Sequence, residues 1–391
     1  MNKLKYLLLL LALTFPYEKW SSIFLILFFI IQITTFYKNK GFKNISNNDF
    51  NFPIVLLFLT TLIFMKLRIP LGNWDRDLSL LLVPISFYGV KITEKDIILI
   101  LKYYIYLLAL LISYALINEY ILQYIYKDYL NLWKLNEHYH NNSLLYFIHS
   151  ISERLDFHHI YLSYFLFFGF ISGHQLIQTE SLKSKFERIL ISFLIISFLI
   201  FTILSLSRMA IFCFLLYFLF IMLRHFLKQN KRPKLLFVLI ILSSVFAFCQ
   251  LKPFAKKMNN LDKDPRILLF QQAFSVSKEK LFFGYGSKRG GEVFLKKQKL
   301  DGAKNIYNNP HNQYLDYLLK GGIFMALSFL IIIYLLLVQY VKNKNKLGLI
   351  FIVFFLIQCF TEALLERYRG ILFFAIFTTI FYQTKKKKNS I

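Results

Sequence analysis

The sequence predicts an all-α polytopic membrane protein, and three observations predict it. Of 391 residues, 57% are hydrophobic and 19% aromatic, against an apolar share of roughly 45–50% in soluble domains. The excess is gathered into runs such as WSSIFLILFFIIQITTFY (20–37) and ILISFLIISFLIFTILSLS (189–207). Runs of about 18–20 residues match the ~30 Å hydrocarbon core of a bilayer. Lys and Arg, in turn, cluster in the segments between runs.

Twelve spans are predicted in order: 4–16, 20–37, 52–66, 78–90, 96–118, 159–178, 189–206, 209–223, 235–251, 322–341, 347–361 and 370–384. The first and fourth are short. The first also has the make-up of a signal peptide, with Lys3 and Lys5 before LLLLLAL, but no small-x-small cleavage site follows, so it is read as a span. Placing both termini in the cytoplasm puts 22 of the 47 Lys and Arg residues in short cytoplasmic segments, from KNKGFKN and KSKFER to the terminal KKKK. This is the positive-inside pattern. Two long segments, 119–158 and 252–321, then lie outside. The whole chain, 1–391, reads as a single integral membrane domain, with 252–321 as a large, partly helical periplasmic loop within it. The formal charge of +26 is accounted for by topology and anionic lipid rather than by nucleic acid. Cys213, Cys249 and Cys359 are scattered through apolar runs, with no metal or disulfide spacing.

Within the long outer loop, PRILLFQQAFSVSKEK (265–280) sets Ile267, Phe270, Ala273, Phe274 and Val276 near helical spacing. That predicts an amphipathic helix lying on the membrane surface. FGYGSKRGGE (283–292) lacks phosphate-loop spacing and reads as a flexible turn region.

Three positions could carry chemistry. In NNPHNQYLDYLLKGG (308–322), Asn309 can cap a helix whose first residue is Pro310. His311 then falls in the first turn, where the helix dipole disfavours imidazolium and favours the neutral base. Gly322 lies three turns on, sharing a face with His311, Leu315 and Leu318, and would admit a neighbouring helix. The plainer alternative is an interfacial histidine that hydrogen-bonds a loop. Arg208, in SLSRMAIF (205–212), stands at an outer turn, either as a snorkelling anchor or as a phosphate-binding cation. Arg266, in DKDPRILLF (262–270), opens the outer helix, either solvated at the headgroups or part of the same site. His158 and His159 point apart, which is poor metal-ligand geometry. Glu362 and ERYRG (366–370) could line the same mouth or be solvated.

HNQYLDYLLKGGIF resembles the signature of the O-antigen ligase and O-antigen polymerase superfamily: His311, Asn312, nine residues, then Gly322. Met325 departs from the Gly, Thr or Tyr often found at its position. Ser207-Arg208 and DPRILLFQQA are similar to two further arginine positions of the family. The resemblance covers roughly 190–380, and the N-terminal half only by topology. It implies an inverting glycosyltransferase of the GT-C type in the bacterial inner membrane. Such an enzyme moves a glycan from undecaprenyl pyrophosphate to an acceptor hydroxyl on the periplasmic face, without nucleotide sugar, metal or other cofactor. Arg208 and Arg266 would hold the pyrophosphate, His311 would orient or deprotonate the acceptor, and Asn312 and Gly322 would support it. The partners implied are the lipid-linked glycan donor, a lipid A core or glycan acceptor, and membrane lipids. A ligase and a polymerase differ only in acceptor, so both readings stand. A transporter or flippase is the rival from another class; it would place charges in mid-span and show two similar halves.

Overall fold

The computed structural model describes residues 2–15, 18–38, 50–67, 75–88, 90, 92–125, 159–182, 184–205, 207–228, 265–302 and 306–384. Among these the fold is all-helical, with a lone parallel bridge between Ile92 and Thr384. In chain order the helices are α1 (Asn2–Thr14), α2 (Glu18–Lys38), α3 (Phe52–Thr61), α4 (Ser79–Ser86), α5 (Glu94–Ile125), α6 (His159–Gln178), α7 (Lys185–Leu204) and α8 (Arg208–Lys228). They continue with α9 (Pro265–Glu279), α10 (Ser287–Leu300), α11 (Gln313–Lys342), α12 (Lys346–Cys359) and α13 (Tyr368–Gln383).

Among the described residues, four helices are long and apolar enough to cross a bilayer: Glu94–Asn118, His159–Gln178, Lys185–Leu204 and Gln313–Lys342. Leu4–Thr14, Trp20–Thr35, Phe52–Lys66 and Lys346–Cys359 are shorter apolar helices. These apolar helices make the chain an integral membrane protein. The expected span over 235–251 lies outside the described residues, as does most of 119–158.

The bundle is organised around α6 and α13. Most of α6 is buried, whereas α7 turns Phe186, Ile189, Phe193, Ile196 and Ile200 outward, as a lipid-facing helix must. Gly169 and Gly173, four residues apart on α6, let its neighbours in. A Cβ on Gly169 would stand 2.9 Å from Leu108 of α5, and one on Gly173 would stand 2.3 Å from Ile195 of α7. This is the small-xxx-small approach that packs helices where no hydrophobic gain from leaving water is available. On the other side of α6, Phe165 stacks on Phe373 of α13 at 4.4 Å and Phe168 meets Phe377 edge-on at 4.7 Å. The phenolic hydroxyl of Tyr104 donates to the Phe165 carbonyl at 2.8 Å, satisfying a polar group inside this aromatic core.

Arg369 is a structural arginine. It is buried, and its Nη1 donates to the carbonyls of Leu13 (3.3 Å) and Phe15 (2.8 Å). It thereby caps the unsatisfied C-terminal end of α1. Leu9, Leu10, Ala12 and Leu13 of that helix are buried.

The outer segment folds against the start of α11. Leu269, Ala273 and Val276 of α9 form a separate small core with Tyr285, with Phe294 of α10 and with Leu319 of α11. The helix predicted over 265–280 is present as α9; its stripe at spacing 269, 273, 276 packs on protein, while Ile267 and Phe274 are exposed. The glycine-rich turn is likewise a built contact rather than a flexible loop. Gly284 and Gly286 hold φ values of 61° and 80°, which glycine adopts without strain. Tyr285 N then donates to Leu319 O at 3.0 Å and Gly286 N to Lys320 O at 2.7 Å.

Gly322 breaks α11. Its φ of 71° and ψ of −169° interrupt the helix, in a region open essentially only to glycine. A Cβ there would stand 2.2 Å from Phe282 O. The sequence assigned Gly322 to close approach by a neighbouring helix on the His311 face. The close approach is instead that of the 281–286 turn, and the break ends any continuous face with His311.

Candidate active site

The segment bearing His311 differs in one respect from its sequence reading. The helix begins at Gln313, and its cap is Asn312, whose side chain accepts from Leu315 N at 3.0 Å. Asn309 makes a local turn instead, its Oδ1 accepting from His311 N at 2.9 Å. His311 therefore precedes the helix, with φ 49°. The expectation that the helix dipole holds its ring neutral loses its basis. Asn312 captured the cap because its side chain reaches the N3 amide.

Two contacts orient the His311 ring. Tyr307 packs edge-on at 5.2 Å. Tyr307 is itself held by buried Gln298 of α10, which accepts from its N–H at 2.8 Å and donates to its carbonyl at 2.7 Å. The other contact is Glu362, whose carboxylate lies 3.2 Å from His311 Nδ1 through Oε2 and 3.3 Å through Oε1. An ionised carboxylate only accepts hydrogen bonds, so Nδ1 is the donor of this pair. Glu362 is 3% exposed in its side chain and His311 19%.

Glu362 belongs to the loop that follows α12, and α11 pins that loop repeatedly. Asn312 Nδ2 donates to Phe360 O at 3.0 Å, and Gln313 Oε1 accepts from Leu365 N at 2.6 Å. Further along, Lys320 Nζ lies 2.6 Å from Glu366 Oε2 and 2.7 Å from Asp316 Oδ1. A Lys66–Asp77 pair at 3.3 Å lies alongside. Burial acts to raise the Glu366 carboxyl, but the Lys320 ammonium outweighs it and holds it below the ordinary carboxylate range.

Arg208 and Arg266 line one small cavity of about 60 Å³, together with His159, Ile160, Ser207, Met209 and Thr361. Arg208 opens α8, Arg266 is the second residue of α9, and His159 opens α6. Three helix N-termini thus converge, and each carries the positive end of a helix dipole. His311 is not in the cavity wall. It joins the cavity through Glu362, the neighbour of Thr361. So two arginines 58 positions apart in sequence meet at one cavity, with the histidine beside it. Gly322 stays away from it, at the turn contact described above. Arg367 instead lies over the Tyr161 ring at 5.7 Å.

A roomier cleft of about 330 Å³ lies at the far end of α6, lined by Gln175 and Leu176 together with Glu94, Lys344 and Lys346. It holds none of the predicted residues. Sixteen residues of helix separate His159 from Gln175, or ~24 Å at 1.5 Å per residue.

Thr361 and the pairing of Glu362 were not readable beforehand, nor was Lys320. The available signal for Lys320 was its i,i+4 spacing from Asp316 at the start of an apolar span, where ionisable groups are costly without a partner.

Residues 192–330 match the family model described as O-antigen ligase. That stretch contains Arg208, Arg266, His311, Asn312 and Gly322, and the match supports the O-antigen ligase and polymerase superfamily. No curated protein matches the chain.

Proposed function

We propose, starting from the match of residues 192–330 to the O-antigen ligase family, that the chain transfers a glycan from undecaprenyl pyrophosphate to an acceptor hydroxyl. In this reading it works at the periplasmic face of the bacterial inner membrane as an inverting, metal-independent transferase. The family supports a ligase- or polymerase-type function acting on a lipid-linked glycan and a glycan acceptor in general. The donor, acceptor and roles below are the proposal.

One observation carries it: Arg208 and Arg266 share a cavity whose wall residue Thr361 adjoins the Glu362–His311 pair. In the transfer step the acceptor oxygen attacks the anomeric carbon from the side opposite the pyrophosphate. The bond from that carbon to the phosphate oxygen breaks, and the acceptor proton passes to His311 Nε2. Glu362 stabilises the resulting imidazolium and keeps the ring in the tautomer that accepts at Nε2. The leaving pyrophosphate gains negative charge, which two guanidiniums and three helix N-termini meet.

The test is a reconstituted assay with a lipid-linked glycan and a range of acceptors, comparing wild type with Arg208→Ala and Arg266→Ala. The expected result is a loss of transfer on the order of 10²-fold or more for each, as when one charge-stabilising donor is removed. Transfer retained at wild-type rate in either variant overturns the pyrophosphate assignment. The acceptor consumed decides between ligase and polymerase.

A further inference from the structure

The turn joining α9 to α10 presents Leu281, Phe282 and Phe283 in succession, and they are 39%, 62% and 53% exposed. Three consecutive large apolar side chains facing outward mark a contact surface. This turn is held firmly in place. Ile323 N donates to Leu281 O at 2.7 Å, Phe324 N to Phe282 O at 3.4 Å, and Gly284 N to Lys280 O at 2.8 Å. The break at Gly322 is what frees the first two amides for it.

Those bonds set the turn level with the first turn of α11 beyond its break. From there α11 exposes Phe324, Leu327, Ile331, Tyr334 and Val338, spaced to fall along one side of the helix. The Phe282 and Phe283 rings lie 6.2 and 5.1 Å from Phe324, which stacks on Phe64 at 6.2 Å. The exposed aromatic edge is therefore continuous with the apolar stripe of a helix long enough to span a bilayer. Lys278 and Lys280 flank it, their ammonium groups over the rings of Phe274 and Tyr285 at 4.9 and 5.2 Å. Apolar and aromatic side chains with lysines just beyond them are the pattern of a segment seated at a membrane interface.

We propose that residues 281–283 insert into the hydrocarbon edge of the bilayer and anchor the α9–α10 unit to the membrane beside α11. The occupant of this patch is lipid, because the patch extends a spanning helix's outer stripe without interruption. The small core of α9 and α10 then rides at headgroup level, held from below by the turn.

The full chain, with Cys213, Cys249 and Cys359 replaced by Ala, would carry a spin label at Phe282→Cys in phosphatidylethanolamine–phosphatidylglycerol vesicles. Collision rates with oxygen and with a water-soluble nickel chelate report depth. Labels at Leu327→Cys and Lys299→Cys serve as lipid and water references. The expected result is an oxygen-rich, nickel-poor signal matching Leu327→Cys. A nickel-accessible signal like Lys299→Cys overturns the proposal. So does a label shielded from both, which would mean a protein covers the patch. Should Phe282→Cys fail to fold, Phe283→Cys and Leu281→Cys give the same reading. No step of the measurement needs transfer activity, so its outcome is independent of the proposed reaction.

Discussion

The loop that follows α12 meets α11 in two places with the same kind of pair in opposite settings. At one, His311 faces Glu362, the neighbour of a cavity-wall residue, with the His311 side chain 19% exposed. At the other, Lys320 is 2% exposed between Asp316 and Glu366. Both pairs join a base to a carboxylate, and both tie the 311–320 segment to the same loop. The difference lies in what remains accessible. His311 leaves its second ring nitrogen outside this pair, whereas the Lys320 contacts join it to two carboxylates within the fold. A charge held that way repays its desolvation through good geometry and, when one partner is removed, leaves an uncompensated charge behind. One pair is therefore expected to govern rate and the other stability.

The largest effects come from crossing the two. His311→Ala is expected to cut transfer by ~10²–10⁴-fold, the usual contribution of a positioned general base, far more than its loss of folded fraction. Lys320→Met is expected to destabilise by about 3–5 kcal/mol, with activity falling only as the folded fraction falls. If His311→Ala loses transfer only in proportion to its folded fraction, or if the folded fraction of Lys320→Met loses transfer as deeply as His311→Ala, the division of labour is wrong.

A smaller effect sharpens the comparison at Glu362. Glu362→Gln keeps the shape but removes the charge that stabilises imidazolium. The expected loss is on the order of 10–100-fold in kcat with KM little changed, as for other partners that orient a working imidazole.

How much of this was legible in the sequence follows from how local each feature is. The apolar runs, the Ser207-Arg208 turn and the His311-Asn312 motif are stretches of adjacent residues, and the runs that fall among the described residues are helical. What could not be read depends on contacts across the chain. Glu362 meets His311 over 51 residues and Lys320 meets Glu366 over 46, and no local pattern names those partners. The helix start moved from Pro310 to Gln313 because two asparagines competed for the cap and the second one's side chain reached the N3 amide. The 283–292 glycines read as flexible because each glycine's use depends on what approaches it, here the backbone of Lys320 and Gly322.

Gly322 gives the next test. Gly322→Ala places a Cβ against Phe282 O at a backbone angle that only glycine holds comfortably. The expected cost is about 1–3 kcal/mol, read as a lower unfolding temperature, with the 281–286 turn cleaved more readily by protease. Unchanged protease sensitivity would mean that the turn does not depend on the break in α11.

The smallest effect isolates the charge of the buried cluster. Because Lys320 holds the Glu366 carboxyl below its ordinary value of 4.5, its ionised form contributes stability in full above that pH. The contribution is lost as pH falls through the lower value that Glu366 has in the folded protein. Glu366→Gln carries no such dependence. The gap in unfolding temperature between wild type and Glu366→Gln should therefore narrow as pH falls below about 4.5. His311→Ala against wild type should show no such narrowing, since its effect is on rate. A Glu366→Gln gap that persists undiminished to about pH 3, well under the usual carboxylate range, would mean that packing and not charge holds the loop at Lys320. The contrast between the two pairs would then rest on burial alone.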